Sequence, residues 1–274
     1  MRYRLFIDAG HGGSDPGAVG NGMRESEIVL DVALRLGALL AVDFEIRQSR
    51  TDDSALTINE RWQAANAWGA DCLISIHANA GGGTGVETLI PTASPNNQNR
   101  DLQENRRFAE IISNTLAGSL GMRVRRANGV MLETETRHGS LGVLRHSRMI
   151  AIMPELAFID SPLSNPDVEI LRTRRQEMAA ALSAGVYKYF GIERGRNDAA
   201  ADRGGVTLDQ TVSIRYRGKL YTIQAANVND RFITSFSELS KVFGDSEIPV
   251  RAVLELAGFT VGWEPETNTI PVGR

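Results

Sequence analysis

The sequence predicts an α/β fold, a mostly parallel twisted sheet with helices on both faces, followed by a small α+β module. Three observations carry that reading. Short apolar runs alternate with segments of helical periodicity through residues 1–191. Glycine-rich loops follow two of those runs, and the composition shifts after Gly191. Hydrophobic content of 42%, charged content of 23% and a formal net charge of -3 suit a folded globular chain rather than a disordered one. No Lys/Arg stripe is interleaved with aromatics, which argues against nucleic acid, and no apolar run approaches the length needed for membrane insertion.

The elements follow in order. Leu5, Phe6 and Ile7 form an apolar strand ending at Asp8, and a loop with glycines at 10, 12, 13, 17, 20 and 22 comes next. From Glu25 to Leu40, the residues Ile28, Val29, Val32, Ala33, Leu36, Leu39 and Leu40 recur at helical spacing. Phe44 to Ser49 reads as a short strand. Thr57 to Trp68 reads as a helix, with Thr57 and Glu60 at capping-box spacing and Trp62 and Trp68 at its core and rim. The run from Cys72 to Ile76 is a strand ending on His77, in which the lone cysteine is a small buried hydrophobe. Gly85 to Ile90 gives another strand, and Phe108, Ile111, Ile112, Leu116 and Leu120 mark a long helix. Residues 123–147 read as polar and irregular; His138 and His146 fall there as loop residues. An apolar run from Met149 to Ile159 is interrupted by Glu155, and one helix is expected from about Pro166 to Phe190.

Beyond Gly191, residues 192–206 are mostly charged or small and predict a linker. The segment from Val212 to Ile223 alternates like a hairpin around Arg217 and Gly218. Residues 236–242 and 250–256 look helical, and Thr260–Trp263 and Thr269–Val272 supply short strands, so 207–274 forms the small module.

In a parallel sheet, functional groups gather beyond the carboxyl ends of the strands. His11 follows the first strand, His77 ends a later one, Glu155 lies late in the last, and the helix from Glu25 returns a carboxylate to that edge. His11, Glu25 and His77 make a two-histidine, one-carboxylate set, which suits zinc with an open position for water. A carboxylate inside Ile150-Ala-Ile-Met-Pro-Glu155-Leu-Ala-Phe is costly to bury alone. Two readings stand: pairing with an arginine such as Arg145, or facing a functional cleft as a general base.

The motifs Ile7-Asp-Ala-Gly-His-Gly-Gly-Ser-Asp-Pro-Gly-Ala-Val-Gly20, Arg24-Glu25, Ser49-Arg-Thr-Asp52, Arg61 with Ala65-Asn66, Ser75-Ile-His-Ala-Asn-Ala80, Gly85-Val-Glu87, Val143-Leu-Arg145 and Pro154-Glu-Leu-Ala-Phe-Ile159 stand in this order. Over about residues 3–191 the chain resembles the zinc-dependent N-acetylmuramoyl-L-alanine amidases of bacterial autolysins and phage endolysins. The resemblance implies Zn2+ held by His11, Glu25 and His77, Glu155 as the catalytic glutamate, and peptidoglycan as substrate. It implies hydrolysis of the amide between N-acetylmuramic acid and the L-alanine of the stem peptide. The family usually carries a proline several residues before that glutamate, whereas this chain reads Met149-Ile-Ala-Ile-Met-Pro-Glu155. Glu87 either lines the cleft near the metal or pairs with an arginine, Asn79 holds the loop after His77 by side-chain to backbone bonds, and Arg145 and His146 lie close enough in sequence to Glu155 to reach the cleft.

The C-terminal module resembles the stalk-type repeat named after the N-terminal domain of copper amine oxidases, through Gly218-Lys-Leu-Tyr221, Ile248 to Glu264 and Thr267 to Val272. That implies attachment to cell wall, with Tyr221, Phe259 and Trp263 as aromatic contacts. The alternative is that these aromatics fill a small core. The amino-terminal residues enter a strand without an apolar h-region, so synthesis in the cytoplasm without a Sec signal is expected, with action on the wall after release. This favours a phage or prophage endolysin over a mother-cell or housekeeping autolysin. The rival functions are a non-catalytic peptidoglycan-binding protein and a zinc carboxypeptidase.

Overall fold

Leu5 and Ile7 of strand β1 (Arg4–Ala9) face one apolar layer, and Phe6 faces another. That alternation sets the architecture. The structure, a computed structural model, describes residues 2–93, 101–193, 210–216, 219–228, 231–233, 260–261 and 272–273. The chain divides into two units, Met1–Asn197 and Asp198–Arg274.

In the first unit, β1 is joined by β4 (Glu45–Gln48), β5 (Cys72–Asn79), β6 (Glu87–Ile90), β7 (Val130–Leu132) and β8 (Ile150–Phe158). Their order is β4-β1-β5-β8-β6-β7. Strands β4, β1, β5 and β8 are parallel, while β6 runs antiparallel to β8 and parallel to β7. The sheet is therefore mostly parallel, as the alternation of strands and helices predicts. The antiparallel pairing is that of β6 with β8, and the strand not expected from sequence is β7, in a segment expected to be irregular. Three residues are too few for the alternation that marks a strand in sequence.

Helices α1 (Glu25–Leu40), α3 (Leu102–Leu120) and α6 (Arg175–Phe190) cover one face. There Val32, Leu36, Phe108, Ile112, Leu116, Met178 and Leu182 meet Leu5, Ile7, Ile74 and Ile152 in one cluster. On the other face, α2 (Ile58–Trp68) and α4 (Gly142–His146) bring Ala65, Val143 and Leu144 against Phe6, Leu73, Ala151 and Met153. Cys72 is buried, as its apolar run predicts. Helix α2 is fixed at both ends. Its capping box is complete, with the Glu60 amide donating to Thr57 Oγ1 at 3.2 Å and the Thr57 amide to Glu60 Oε2 at 2.7 Å, and it stops at Gly69 with φ 68°.

The single helix expected from Pro166 to Phe190 is instead two, α5 (Pro166–Thr173) and α6, because Arg174 leaves helical geometry at φ -112° and ψ 31°. Its amide still closes α5 on the Ile170 carbonyl at 2.9 Å, and its carbonyl opens α6 by accepting from Met178 at 3.0 Å. No glycine or proline marks the break. The apolar spacing runs through it unchanged, so periodicity could not reveal it.

In the second unit, β9 (Gln210–Tyr216) and β10 (Lys219–Val228) pair antiparallel with Tyr216 opposite Lys219; Arg217 and Gly218, where the turn is expected, lie outside the described residues. Strand β11 (Arg231–Ile233) pairs with β10, and β12 (Thr260–Val261) with β13 (Val272–Gly273). Most of the expected linker, both expected helices of this unit, Phe259 and Trp263 lie outside the described residues, and of Tyr221 only its place on β10 is described. Among the described residues, no helix is long and apolar enough to cross a membrane.

Candidate metal centre

The carboxyl ends of β1, β5 and β8 share one sheet edge, and antiparallel β6 begins at that same edge. The loop after β1 carries His11 and folds back on itself. The Gly12 amide donates to the Asp15 carbonyl at 2.9 Å, and the Asp15 amide to the Gly12 carbonyl at 3.1 Å. This turn places Asp15 Oδ2 2.8 Å from His11 Nδ1, while Oδ1 accepts from the Gly17 amide at 3.0 Å. A hairpin of β2 (Val19–Gly20) and β3 (Met23–Arg24) then delivers Glu25 as the first residue of α1.

With Nδ1 committed to Asp15, the other nitrogen of His11, Nε2, lies 3.2 Å from Glu25 Oε1. The same oxygen is 2.9 Å from His77 Nδ1 and accepts from the Ala78 amide at 3.0 Å, and Glu25 Oε2 accepts from the Ala18 amide at 2.8 Å. One ligand atom from each of His11, Glu25 and His77 lies within 4.8 Å of the others. Burial resists ionisation of Glu25, but hydrogen bonds from the two histidines outweigh it and hold its carboxyl well below the usual range. For His11, burial lowers the pKa, and the bonds to Glu25 and Asp15 more than reverse that, leaving it above the ordinary value.

Two glycines show why the loop is built as it is. A Cβ on Gly10 would sit 2.4 Å from the His77 ring, and one on Gly17 would sit 2.6 Å from Glu25 Oε2 and 2.7 Å from the His11 ring. Two ring nitrogens and a buried carboxylate oxygen, drawn from three chain segments and packed this closely, fit a divalent ion of the zinc type with a position left for water.

Glu155 stands beside this cluster, paired in register with His77 on β5 and opposite Glu87 on β6. Its Oε2 is buried and has no hydrogen-bond partner among the described residues. Burial, then the nearby charges of Glu25 and Glu87, push its pKa well above the usual carboxylate value. The pairing alternative for Glu155 fails here. Arg145 instead donates to Glu133 Oε1 at 3.1 and 3.2 Å, and Glu133 is itself fully buried. Asn79 donates to Glu87 Oε1 at 2.7 Å, and its own side-chain oxygen accepts from the Ala80 amide in the loop after His77, while Glu87 pairs with arginines, one of its two expected readings. His138 is exposed, and the His146 ring packs on Trp62 at 5.2 Å; neither joins the cluster.

Sequence reasoning quoted Arg50 and Arg61 within motifs but gave them no task. Both are buried, at 3% and 5% exposure. Arg50 donates to the carbonyls of Ala9 at 3.0 Å, Gly10 at 2.8 Å, Ser26 at 2.8 Å and Asp52 at 2.8 Å. Arg61 donates to Asp8 Oδ1 at 2.7 Å and to the carbonyls of Ala9 and His11, each at 2.6 Å. Asp8 also accepts from the Ser75 hydroxyl at 2.6 Å. Burial alone would raise the Asp8 pKa, but the Arg61 guanidinium and the serine hydroxyls carry it below its ordinary value. One signal was available: Arg61 lies four residues before Ala65, on the face of α2 that packs against the sheet.

The sequence model of the family Amidase_3, described as N-acetylmuramoyl-L-alanine amidase, matches residues 5–188. The chain belongs to this amidase family. The match takes in every segment that builds the centre and ends before the composition shift after Gly191. The chain is similar to the sporulation-specific N-acetylmuramoyl-L-alanine amidase of Bacillus subtilis (strain 168), at 34% identity over 202 residues, covering 70% of this chain and 69% of that one. It is also similar to the endolysin of Bacillus phage SPP1, at 30% identity over 59% of this chain and 56% of the phage protein. Among solved structures, the N-acetylmuramoyl-L-alanine amidase from Clostridium difficile 630 superposes with a TM-score of 0.59 at 28% identity, over 69% of this chain and 97% of that one. As an amidase-family fold, the mixed α/β sheet flanked by helices is the expected scaffold.

Proposed function

We propose that this chain is a zinc-dependent N-acetylmuramoyl-L-alanine amidase, which hydrolyses the amide between N-acetylmuramic acid and the L-alanine of the stem peptide in peptidoglycan. The observation that carries the reading is the placement of the unpartnered Glu155 carboxylate in register with His77, beside the His11, Glu25 and His77 cluster. These three residues would hold zinc, which when bound lowers the pKa of water to about 7 and polarises a carbonyl oxygen. Asp15 keeps His11 Nδ1 engaged, so that Nε2 turns toward Glu25. Glu155 takes the proton of the attacking water and passes it to the leaving amine nitrogen. Its Oε2 has no hydrogen-bond partner among the described residues, which leaves that oxygen free to carry the proton between the two steps.

Zymography on purified walls, with mass analysis of the digest, tests the reading. Intact stem peptides with a new L-alanine amino terminus are expected. Release of single terminal residues would mark a carboxypeptidase, and no clearing with or without added zinc would mark a non-catalytic binder.

The biological setting and the second unit belong to the same proposal. An endolysin is favoured, acting after release to the wall, and a mother-cell autolysin is the other setting. The two separate on whether lysis from inside the cell needs a co-expressed holin. Residues 1–191 supply the chemistry, 192–206 link, and 207–274 attach the enzyme to cell wall, with Tyr221, Phe259 and Trp263 as contacts. Removing 206–274 should weaken binding to walls and spare cleavage of soluble fragments; unchanged binding refutes the attachment role.

A further inference from the structure

From Arg123 to Arg148 the chain carries six arginines against two glutamates, although its overall formal charge is -3. Arg125 and Arg126 stand just before β7, which runs parallel to β6, and β6 begins opposite Glu155. The two arginines therefore reach the edge of the sheet that holds His77 and Glu155. Both donate Nε to Glu87 at 3.0 Å, leaving two cations on one buried carboxylate.

Their surroundings differ. Arg125 lies over the Phe158 ring at 4.6 Å and donates to the Thr84 carbonyl at 3.3 Å, which fixes it from behind. Arg126 has φ 50° and ψ -177°, a conformation that glycine adopts freely and side-chain-bearing residues rarely adopt. Backbone strain beside a functional centre is tolerated when the side chain it delivers has a use. The Arg126 side chain is 37% exposed, and its Nη1 already donates to the exposed carboxylate of Glu135 at 3.2 Å. Its Nη2 donates to nothing among the described residues.

We propose that Arg126, backed by Arg125, is a subsite that binds a carboxylate of the stem peptide and so selects substrates carrying that charge. The proposal rests on the amidase reading of the neighbouring centre. A guanidinium fork matches a carboxylate in shape and charge, and Glu135 marks the place on the fork where one already sits. Because the guanidinium lies against Glu87, it is one to two strand spacings, about 5–10 Å, from Glu155. An extended peptide advances about 3.3 Å per residue, so the selected carboxylate belongs two or three residues beyond the scissile amide.

The test uses the full zinc-loaded chain and two synthetic muramyl-peptides, identical except that the peptide carboxylates are free in one and amidated in the other. The wild type should prefer the free form by about tenfold, mainly through KM, as one partly exposed charge-assisted contact implies. Arg126→Gln should bring the two KM values together, and Glu135→Gln, which removes the internal competitor, should lower KM for the free form. Arg126→Gly should erase the preference while raising Tm, because it relieves the backbone; a purely structural arginine would lower Tm when removed. Equal KM values in the wild type, or a preference that survives in both Arg126 variants, would overturn the subsite alone. Cleavage of neither substrate would overturn the amidase reading and the subsite with it.

Discussion

Arg50 and Arg61 lie beneath the β1 end of the sheet edge and give their donors to backbone carbonyls of the loop that carries His11 and to Asp8, whereas Arg125 and Arg126 stand at the β6 end with part of their surface exposed. The same side chain serves two ends. A buried guanidinium saturated by carbonyls has nothing left for a substrate, but it fixes the backbone from which His11 projects. The partly exposed Arg126 spends Nε on Glu87 and Nη1 on Glu135 and keeps Nη2 for a ligand. Depth and donor use, rather than charge, separate scaffold from recognition at this edge.

The two ends share one chemical step, and the largest effect should come from removing it. Glu155→Gln should cut turnover by about 10²–10⁴-fold while zinc remains bound, read by kinetics alongside metal analysis. Near wild-type lysis would remove the base from the centre and leave the two arginine pairs with nothing to serve. The scaffold end should show next. Arg61→Ala leaves Asp8 buried and unpaired, which costs about 3–5 kcal/mol of stability in chemical denaturation. Arg126→Ala should cost much less, because Arg125 and Asn79 still hold the buried Glu87 carboxylate. Equal losses in the two variants would break the contrast.

Asp15→Asn probes the loop that the scaffold supports. By loosening His11 it should weaken zinc affinity about 10–100-fold, measured by competition with a chelator. The smallest effect expected is in acid. Because the folded-state pKa of Asp8 is depressed, its contribution to stability is fully present above the ordinary value of 3.8 and fades as pH falls through the lower folded value. Asp8→Asn should flatten that part of the stability profile, and an unchanged acid limb would show that other carboxylates set it.

The gathering of His11, Glu25, His77 and Glu155 at one edge was legible because glycines and strand ends flag those positions in sequence. The long helices α1 and α3 were legible from their apolar spacing. What stayed hidden depended on partners far along the chain. Arg61 reaches back to Asp8 and His11 across some fifty residues, and no local pattern announces such a bond. Arg145 looked available to Glu155 by proximity, but the buried Glu133 in a polar stretch claims it. The strand β6 was legible but its antiparallel direction was not, because side-chain alternation carries no strand direction, and the three residues of β7 are too few to distinguish from loop.

The strand that carries Glu155 is made last among those of the sheet, yet it lies between β5 and β6. During synthesis, β4, β1 and β5 can pair as soon as they emerge, while β6 and β7 must wait for β8 before they can join the same sheet. A chain interrupted before residue 150 would own His11, Glu25 and His77 but lack Glu155 and the strand with which β6 pairs. The four side chains of the proposed centre therefore come together only when the sheet closes, with synthesis of its last strand.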